Sequence, residues 1–311
     1  MSQDVASILA DSPWAGRPGL RWRPGVAPVA SPMCQAVDWS NWVVSTDDAP
    51  DALFLKILHP EMAAFIDVAA AHAGACAGMR AGVAPAVEWF LPRHGAIGFA
   101  HRAPPWRGAR LDDLRRPEVL QAAIAAKAAL RSGPAMPRGW DVFARVRGHA
   151  ALARGAGVAL PSDMEALLAS VETIGAALDV AGRDSAPCHN DGQASNILLG
   201  PGGQVLLVDF DCAGQADPHY DLAVLLNEAH DLEPGWRAGI EMQEGRCEAR
   251  VLNRCRAYAA ADDLLWGLQG LVLAATSPRR EPEFLKYGEW RLLRCRMALR
   301  EPGFADRLHR L

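Results

Sequence analysis

The chain has no run of apolar residues long enough to cross a bilayer. Its most apolar tract, Leu264–Ala275, falls short of the ~20 residues a spanning helix needs. Met1–Leu9 carries Asp4 and has no apolar centre, so it does not read as a secretory signal. There is no Cys-x-x-Cys pair. The seven cysteines (34, 76, 188, 212, 247, 255 and 295) are odd in number and scattered, which argues against a disulfide frame or a zinc site. Reduced thiols and a cytoplasmic location are the expectation. Long basic runs are missing too. Only short pairs occur, such as Arg115-Arg116 and Arg279-Arg280, and the formal net charge of −4 gives no pull toward nucleic acid or an anionic membrane. No internal repeat is evident. What is left, over 311 residues, is a composition of 50% hydrophobic and 22% charged residues. That is ordinary for an enzyme with a substantial core and room for two lobes.

One stretch carries chemistry, Cys188–Glu228. Within it His189-Asn190-Asp191 is followed by Asn196, and Asp209 closes the apolar run Val205–Val208. Phosphoryl transfer to a hydroxyl uses an aspartate that accepts the hydroxyl proton, with an asparagine and a second aspartate holding the metal. The spacing Asp191-x-x-x-x-Asn196 is that of a kinase catalytic loop, and Val208-Asp209-Phe210-Asp211 stands where kinases place Asp-Phe-Gly. Gly200-Pro201-Gly202-Gly203 is a turn signal, so Ile197–Leu199 and Gln204–Val208 read as a hairpin returning Asp209 to Asn196. The bland alternative is a hairpin with surface carboxylates. Three roles in register favour the catalytic reading.

These motifs resemble the choline/ethanolamine kinases and their relatives, the aminoglycoside phosphotransferases. Those families write His-Asn-Asp or His-Gly-Asp, four residues, then Asn, and continue into an Asp-Pro-x-x-Asp-Leu-Ala helix start, here Asp217–Ala223. The resemblance implies a bilobal, protein-kinase-like α+β fold with an antiparallel β small lobe and a mostly helical large lobe. It places the lobes at 1–102 and 109–311. The linker at 103–108, Ala-Pro-Pro-Trp-Arg-Gly, is the hinge. It also implies ATP and Mg²⁺ as cofactors.

In the small lobe, Trp22–Thr46 reads as two strands and Ala52–Leu58 as a third with a single charge, Lys56. The resemblance gives that lysine to the nucleotide phosphates. Two departures accompany it. The loop expected to be glycine-rich reads Val29-Ala30-Ser31-Pro32-Met33, leaving Ser31 as the candidate phosphate contact. The helix expected over Pro60–Met79 should carry a glutamate for Lys56, yet its early acids are Glu61 and Asp67, and His72 lies nearer. Residues 1–20 read as an irregular arm, and Ala86–Leu91 and Ala96–His101 as two more strands.

In the large lobe, Pro117–Ser132 reads as a helix, and Ser162-Asp163-Met164-Glu165 as a capping box opening another that runs to Val180. Leu222–His230, Cys247–Ala261, Asp262–Ala275 and Pro282–Arg300 read as further helices. Asp221 is expected to brace the catalytic loop. By resemblance Glu228 faces an amine-bearing substrate. Trp266 in Asp263–Gly270 and Tyr287 in Phe284–Tyr287 form an aromatic cage, with Gln269 where a second tryptophan is expected. The function implied is ATP-dependent phosphorylation of a hydroxyl on a small amine-bearing molecule. Asp191 is the catalytic base, Asn196 and Asp209 hold metal, and Lys56 and Ser31 contact the nucleotide. Two alternatives stay open: an aminoglycoside-type or other small-molecule kinase of the same fold, and a ligand-binding pseudokinase.

Overall fold

Period-two alternation along Leu53–Leu58 (LFLKIL) decides how the N-terminal lobe is assembled. Leu53, Leu55 and Ile57 are buried on one face, which leaves Lys56 and Leu58 on the other. A computed structural model describes residues 5–30 and 35–311. In it the first face is covered by a short helix, α1 (Val5–Ala10), whose Val5, Ile8 and Leu9 join Trp14 against the sheet. The irregular arm expected at 1–20 is thus corrected: the i, i+3, i+4 apolar triplet is a docked helix.

The sheet itself is β1 (Arg21–Pro24), β2 (Trp39–Ser45), β3 (Leu53–Leu58), β4 (Val87–Leu91) and β5 (Ala96–Ala100), all antiparallel in the order β1-β2-β3-β5-β4. The β1–β2 connection is closed at its base by paired backbone bonds between Val29 and Gln35, at 2.9 and 2.7 Å. Ser31 lies outside the described residues.

The single helix expected after β3 is two pieces. A 3₁₀ turn, Pro60–Ala64, is followed by α2 (Val68–Arg80), and Asp67 caps α2 by accepting the Ala70 N–H at 3.0 Å. Glu61, on the separate turn, faces away from Lys56. Arg279 Nε donates to it at 2.5 Å and Arg279 Nη1 donates to the Val37 carbonyl at 2.6 Å. The far end of the chain is thereby strapped to the small lobe.

The rest is mostly helical. After β6 (Arg107–Gly108) come α3 (Leu111–Leu114), α4 (Pro117–Arg131), α5 (Val142–Gly155) and α6 (Met164–Ala181). Four short strands follow, β7 (Ala186–Cys188), β8 (Ile197–Leu199), β9 (Val205–Leu207) and β10 (Gly214–Ala216). Then come α7 (Pro218–Ala229), α8 (Glu233–Glu244), α9 (Ala249–Thr276), α10 (Phe284–Leu299) and α11 (Phe304–Leu308). β8 pairs with both β9 and β6, so Arg107 and Gly108 of the linker are tied to the catalytic hairpin. This is the bilobal α+β architecture that the motifs imply.

Two corrections concern charge inside helices. The pair of helices expected over Cys247–Ala275 is one helix of 28 residues, α9. Its midpoint Asp262-Asp263 is buried, not a break, because Arg291 of α10 bonds Asp262 at 2.6 Å and stands 2.8 Å from Asp263. The capping box at Ser162–Glu165 does not form. Asp163 is the cap residue but makes no cap bond, and its carboxylate is held by both Arg296 nitrogens at 2.7 and 2.8 Å. Helices α5 and α8 are additions to the sequence reading. Among the described residues, no helix is long and apolar enough to cross a membrane.

Candidate active site

The loop between β7 and β8 holds Asp191 by both oxygens. Gln193 N–H donates to Oδ1 at 2.7 Å, and Asn196 Nδ2 donates to Oδ2 at 2.8 Å. Burial, reinforced by the charge of Asp209, pushes the Asp191 carboxyl up to about 7. His189 is buried and pulled down to about 4, chiefly by burial, so its ring is neutral. It bridges the carbonyls of Asp191 (3.2 Å) and Val208 (3.0 Å). A neutral imidazole carries one N–H, so one of these contacts is the hydrogen bond. Gly192 is required by close approach, since a Cβ there would lie 2.0 Å from the Val224 carbonyl of α7.

Beneath the loop lies a buried ion pair. Lys127 Nζ, from α4, donates to Asp221 Oδ1 at 2.6 Å and to the Asp191 carbonyl at 2.8 Å. Asp221 accepts in turn from Asn190 N–H at 2.7 Å. Asn190 adopts the left-handed conformation (φ 61°), which asparagine tolerates better than most residues. Its Nδ2 donates to the Cys212 carbonyl at 3.0 Å. Asp221 is therefore a brace, as expected, and Lys127 is a partner the sequence reading missed. α7 begins at Pro218, not Leu222, with Asp217 capping it, so Asp221 sits in the first turn facing the loop.

Across the cleft, Asp209 also has a positive φ, 64°. Strained backbone of this kind concentrates at functional sites. Phe210 seats against α2, where a Cβ on Gly78 would come within 2.4 Å of the Phe210 ring. Lys56 Nζ donates to Asp209 Oδ1 at 2.6 Å and stands 4.7 Å from the centre of the Trp39 ring, while Trp39 Nε1 donates to Asp211 Oδ2 at 2.7 Å. Burial opposes the charge on Lys56, but Asp209, Asp211 and Asp38 outweigh it and raise its pKa. Burial also opposes ionisation of Asp209, which Lys56 overcomes, leaving it lowered. Asp211 is raised, by burial and then by Asp209, which together outweigh Lys56.

One lysine thus answers three carboxylates. That surplus of negative charge and hard oxygen fits Mg²⁺, which binds through one or two carboxylates and completes its shell with water and substrate phosphate. Among the described residues, no three His, Cys, Asp or Glu side chains converge on a point as a closed metal cage.

In front of Asp191 opens a cleft of about 250 Å³, lined by Asp191, Gln193, Glu228, Asp262, Trp266 and Arg291 among others. Burial raises the Glu228 carboxyl, whose Oε1 stands 3.5 Å from the Ala194 amide. Trp266 Nε1 donates to Asp262 Oδ1 at 3.1 Å. The indole forms a shared wall, because a second cleft of about 320 Å³ lies against it and includes Gln269 and His149. Those two are 3.2 Å apart. Tyr287 lines neither cleft and is buried in the apolar cluster that packs against Trp266.

The sequence model of the phosphotransferase enzyme family matches residues 36–264. The chain belongs to that family. No curated protein matches it. Solved structures do. A choline/ethanolamine kinase family protein from Mesorhizobium loti is 25% identical with a TM-score of 0.78, over 97% of this chain and 96% of that one. Choline kinase LicA from Streptococcus pneumoniae, also solved in complex with AMP, is 14% identical with a TM-score of 0.77, over 94% and 98%. The aminoglycoside phosphotransferase APH(2")-IIa, solved with gentamicin, is 13% identical with a TM-score of 0.62, over 94% and 97%. The fold is kinase-like, and the enzyme is a phosphotransferase of the small-molecule kinase kind.

In this phosphotransferase the sequence-selected residues fall into two groups. Asp191 with Asn196, and Lys56 with Asp209, form two bonded pairs, brought together by the Val208 N–H donating to the Asn196 carbonyl at 2.9 Å. Glu228 and Trp266 share the cleft beside Asp191, with Gln269 on the far side of the indole. The functional residues missed are Lys127 and Arg291. Both are basic residues on the apolar stripe of a helix: Lys127 follows Leu120, Ala123 and Ile124, and Arg291 follows Phe284, Tyr287 and Gly288. A cation in that register signals a buried carboxylate. Lysine is also scarce in this phosphotransferase, three of its 32 Lys and Arg residues. Two of those three, Lys56 and Lys127, are in the site.

Proposed function

We propose that this phosphotransferase transfers the terminal phosphoryl group of ATP to a hydroxyl of a small amine-bearing acceptor. The observation that carries the reading is the cleft beside Asp191, where Glu228 stands with the Trp266 indole while Asp262 is taken up by Arg291. An acid near an aromatic ring suits an ammonium, and the same cleft presents Asp191 to a hydroxyl. Asp191 orients that hydroxyl and takes its proton. Lys56 would face the phosphates, and Asn196 and Asp209 would hold Mg²⁺, which would neutralise phosphate charge there. Most of the rate then comes from positioning and fixed charge.

A coupled ADP-release assay across amino alcohols, sugars and aminoglycosides tests the reading, with ATP and GTP as donors. Turnover is expected with ATP and Mg²⁺ on amino alcohols. Turnover only on sugars or aminoglycosides would reassign the acceptor, and none on any acceptor would favour a ligand-binding pseudokinase.

Two substitutions separate the sites. Lys56→Ala is expected to weaken ATP at least tenfold in calorimetry, because the sequence Val29–Met33 has no glycine and one proline, which lacks an N–H. An unchanged affinity would move the phosphates elsewhere. Trp266→Ala is expected to raise the KM for the charged acceptor by roughly ten- to thirty-fold, the worth of one desolvated cation–π contact, while KM for ATP stays put. The control is a neutral acceptor with carbon in place of nitrogen. Equal losses for charged and neutral acceptors would make the indole only a packing element.

A further inference from the structure

The second cleft, beyond Trp266, contains charges that the reaction scheme above leaves unused. Its large-lobe wall carries Trp140, Arg145, His149, Gln269 and the acid Asp211, which Trp39 holds, and its small-lobe wall carries Asp38 and Phe65. Eleven of the described arginines are not exposed. Among the described residues, Arg131, Arg138 and Arg145 are those of the eleven with no carboxylate within 4 Å. Arg131 donates to Gln243. The other two stand over the same Trp140 ring, Arg145 at 3.9 Å and Arg138 at 5.6 Å.

Arg138 spends one nitrogen on the carbonyls of Asp211 and Ala213, at 2.6 and 2.8 Å. Its Nε and Nη1 are buried with no partner. Arg145 makes one bond, from Nη1 to the Phe65 carbonyl at 3.3 Å. Burial, with Arg138 adding to it, pulls Arg145 below the ordinary range of arginine. A half-buried guanidinium fixed on an indole, beside a second one and without an acid, is a site awaiting an oxyanion. Arginine forks suit planar carboxylates. On the facing wall, burial and then Asp209 push the Asp38 carboxyl up to about 7, against the charges of Lys56 and Arg279. Asp38 is not a counter-charge for Arg145.

Resting on the amine-acceptor reading above, we infer that the acceptor is a zwitterion whose ammonium lies against Trp266 and Glu228 and whose carboxylate passes the indole to Arg145. A hydroxylated amino acid or a hydroxylated betaine has this chemistry. Such a molecule gives Arg145 its anion and leaves its hydroxyl for Asp191. Cys212 joins the two sites: it lines this cleft, and its carbonyl accepts from Nδ2 of Asn190, the neighbour of Asp191, at 3.0 Å. The inference also gives Gln269 a function, since its amide lies on the same wall as Arg145 and can donate to a carboxylate.

The test uses matched acceptors that differ by one carboxylate: serine with ethanolamine, homoserine with 3-aminopropanol, and carnitine with β-methylcholine. Both kcat/KM and calorimetric binding are measured for each. In at least one pair the carboxylated member is expected to win by thirty-fold or more, in line with a desolvated charge pair. Arg145→Gln is expected to erase that gap and leave the uncarboxylated partner within threefold. Arg145→Lys, which keeps the charge, should restore part of it.

A thermal midpoint near the parent's shows that each variant is folded. Carboxylated members that bind and react no better than their partners overturn the inference, as does an Arg145→Gln variant that loses both members equally. Arg145-dependent binding of a zwitterion without phosphorylation of any acceptor would retain this inference and reject the phosphotransfer reading. Turnover of amino alcohols with no response to the carboxylate would do the reverse.

Discussion

Asp191→Asn is expected to lower kcat by roughly 10²- to 10⁴-fold, the range assigned to a single proton-transfer group, with nucleotide and acceptor affinities within about threefold of the parent's. The substitution is close to isosteric. The new amide oxygen still accepts from Gln193 N–H, which lies 2.7 Å from the carboxylate. Asn196 Nδ2, now donating to Asp191 at 2.8 Å, loses its acceptor, because its own oxygen is the atom assigned to the metal and stays there. The basic site and one local bond are lost, and the metal ligands are kept. Asp209→Asn should behave differently, weakening the metal–nucleotide complex before it touches the acceptor. Single-turnover kinetics with both substrates saturating separates the two, and an Asp191 variant within twofold of the parent would remove this residue from proton transfer.

Lys127→Met is expected to cost about 3–5 kcal/mol of folding stability, as removing one partner of a buried ion pair does. Both members are almost sealed from solvent, with side chains 2% and 3% exposed. The pH dependence identifies the cause. In the parent, burial disfavours the Asp221 charge but Lys127 prevails, so the folded pKa is lowered. That contribution is present above the unfolded carboxylate's pKa and is lost as pH falls through the lower folded value. Without Lys127, burial governs and the folded pKa moves above the unfolded one. The variant should then lose stability as pH rises, so its deficit in urea is larger at pH 7.5 than at pH 5. A deficit independent of pH would mean that lost packing, not the stranded carboxylate, is responsible. Because Lys127 also holds the Asp191 carbonyl, kcat should fall in the same variant even at temperatures where it is fully folded.

What could be read in the sequence was what neighbours in the chain determine. The Asp191–Asn196 spacing and the Gly200–Gly203 turn are local, and the hairpin they imply is present, as Ile197–Leu199 paired with Val205–Leu207. The small lobe's five antiparallel strands were legible from alternation and turn residues. Charges whose meaning depends on a distant partner were misread. Asp262-Asp263 looked like a gap between helices because Arg291 was out of view. Ser162 and Glu165 looked like a capping pair, but the helix starts after Asp163, whose carboxylate goes to Arg296. Glu61 looked like a poorly placed partner for Lys56, when its partner is Arg279, more than two hundred residues on. The helix α1 was missed for a related reason, since a six-residue helix is too short to hold its shape unless a sheet is there to receive it.

The strap from Arg279 to Glu61 and the Val37 carbonyl has a mechanical consequence. A lid fastened only by its linker can tilt in any direction. This small lobe is held at more points than the linker at 103–108: by Arg279, by α2 packed on Phe210, by the Leu207 N–H donating to the Val83 carbonyl at 2.7 Å and by Arg145 donating to the Phe65 carbonyl at 3.3 Å. Lys56 and Trp39 belong to its sheet, while Asp209 and Asp211 follow β9 in the other lobe. The Lys56–Asp209 and Trp39–Asp211 contacts therefore act as one double latch, and parting the lobes at the cleft breaks both.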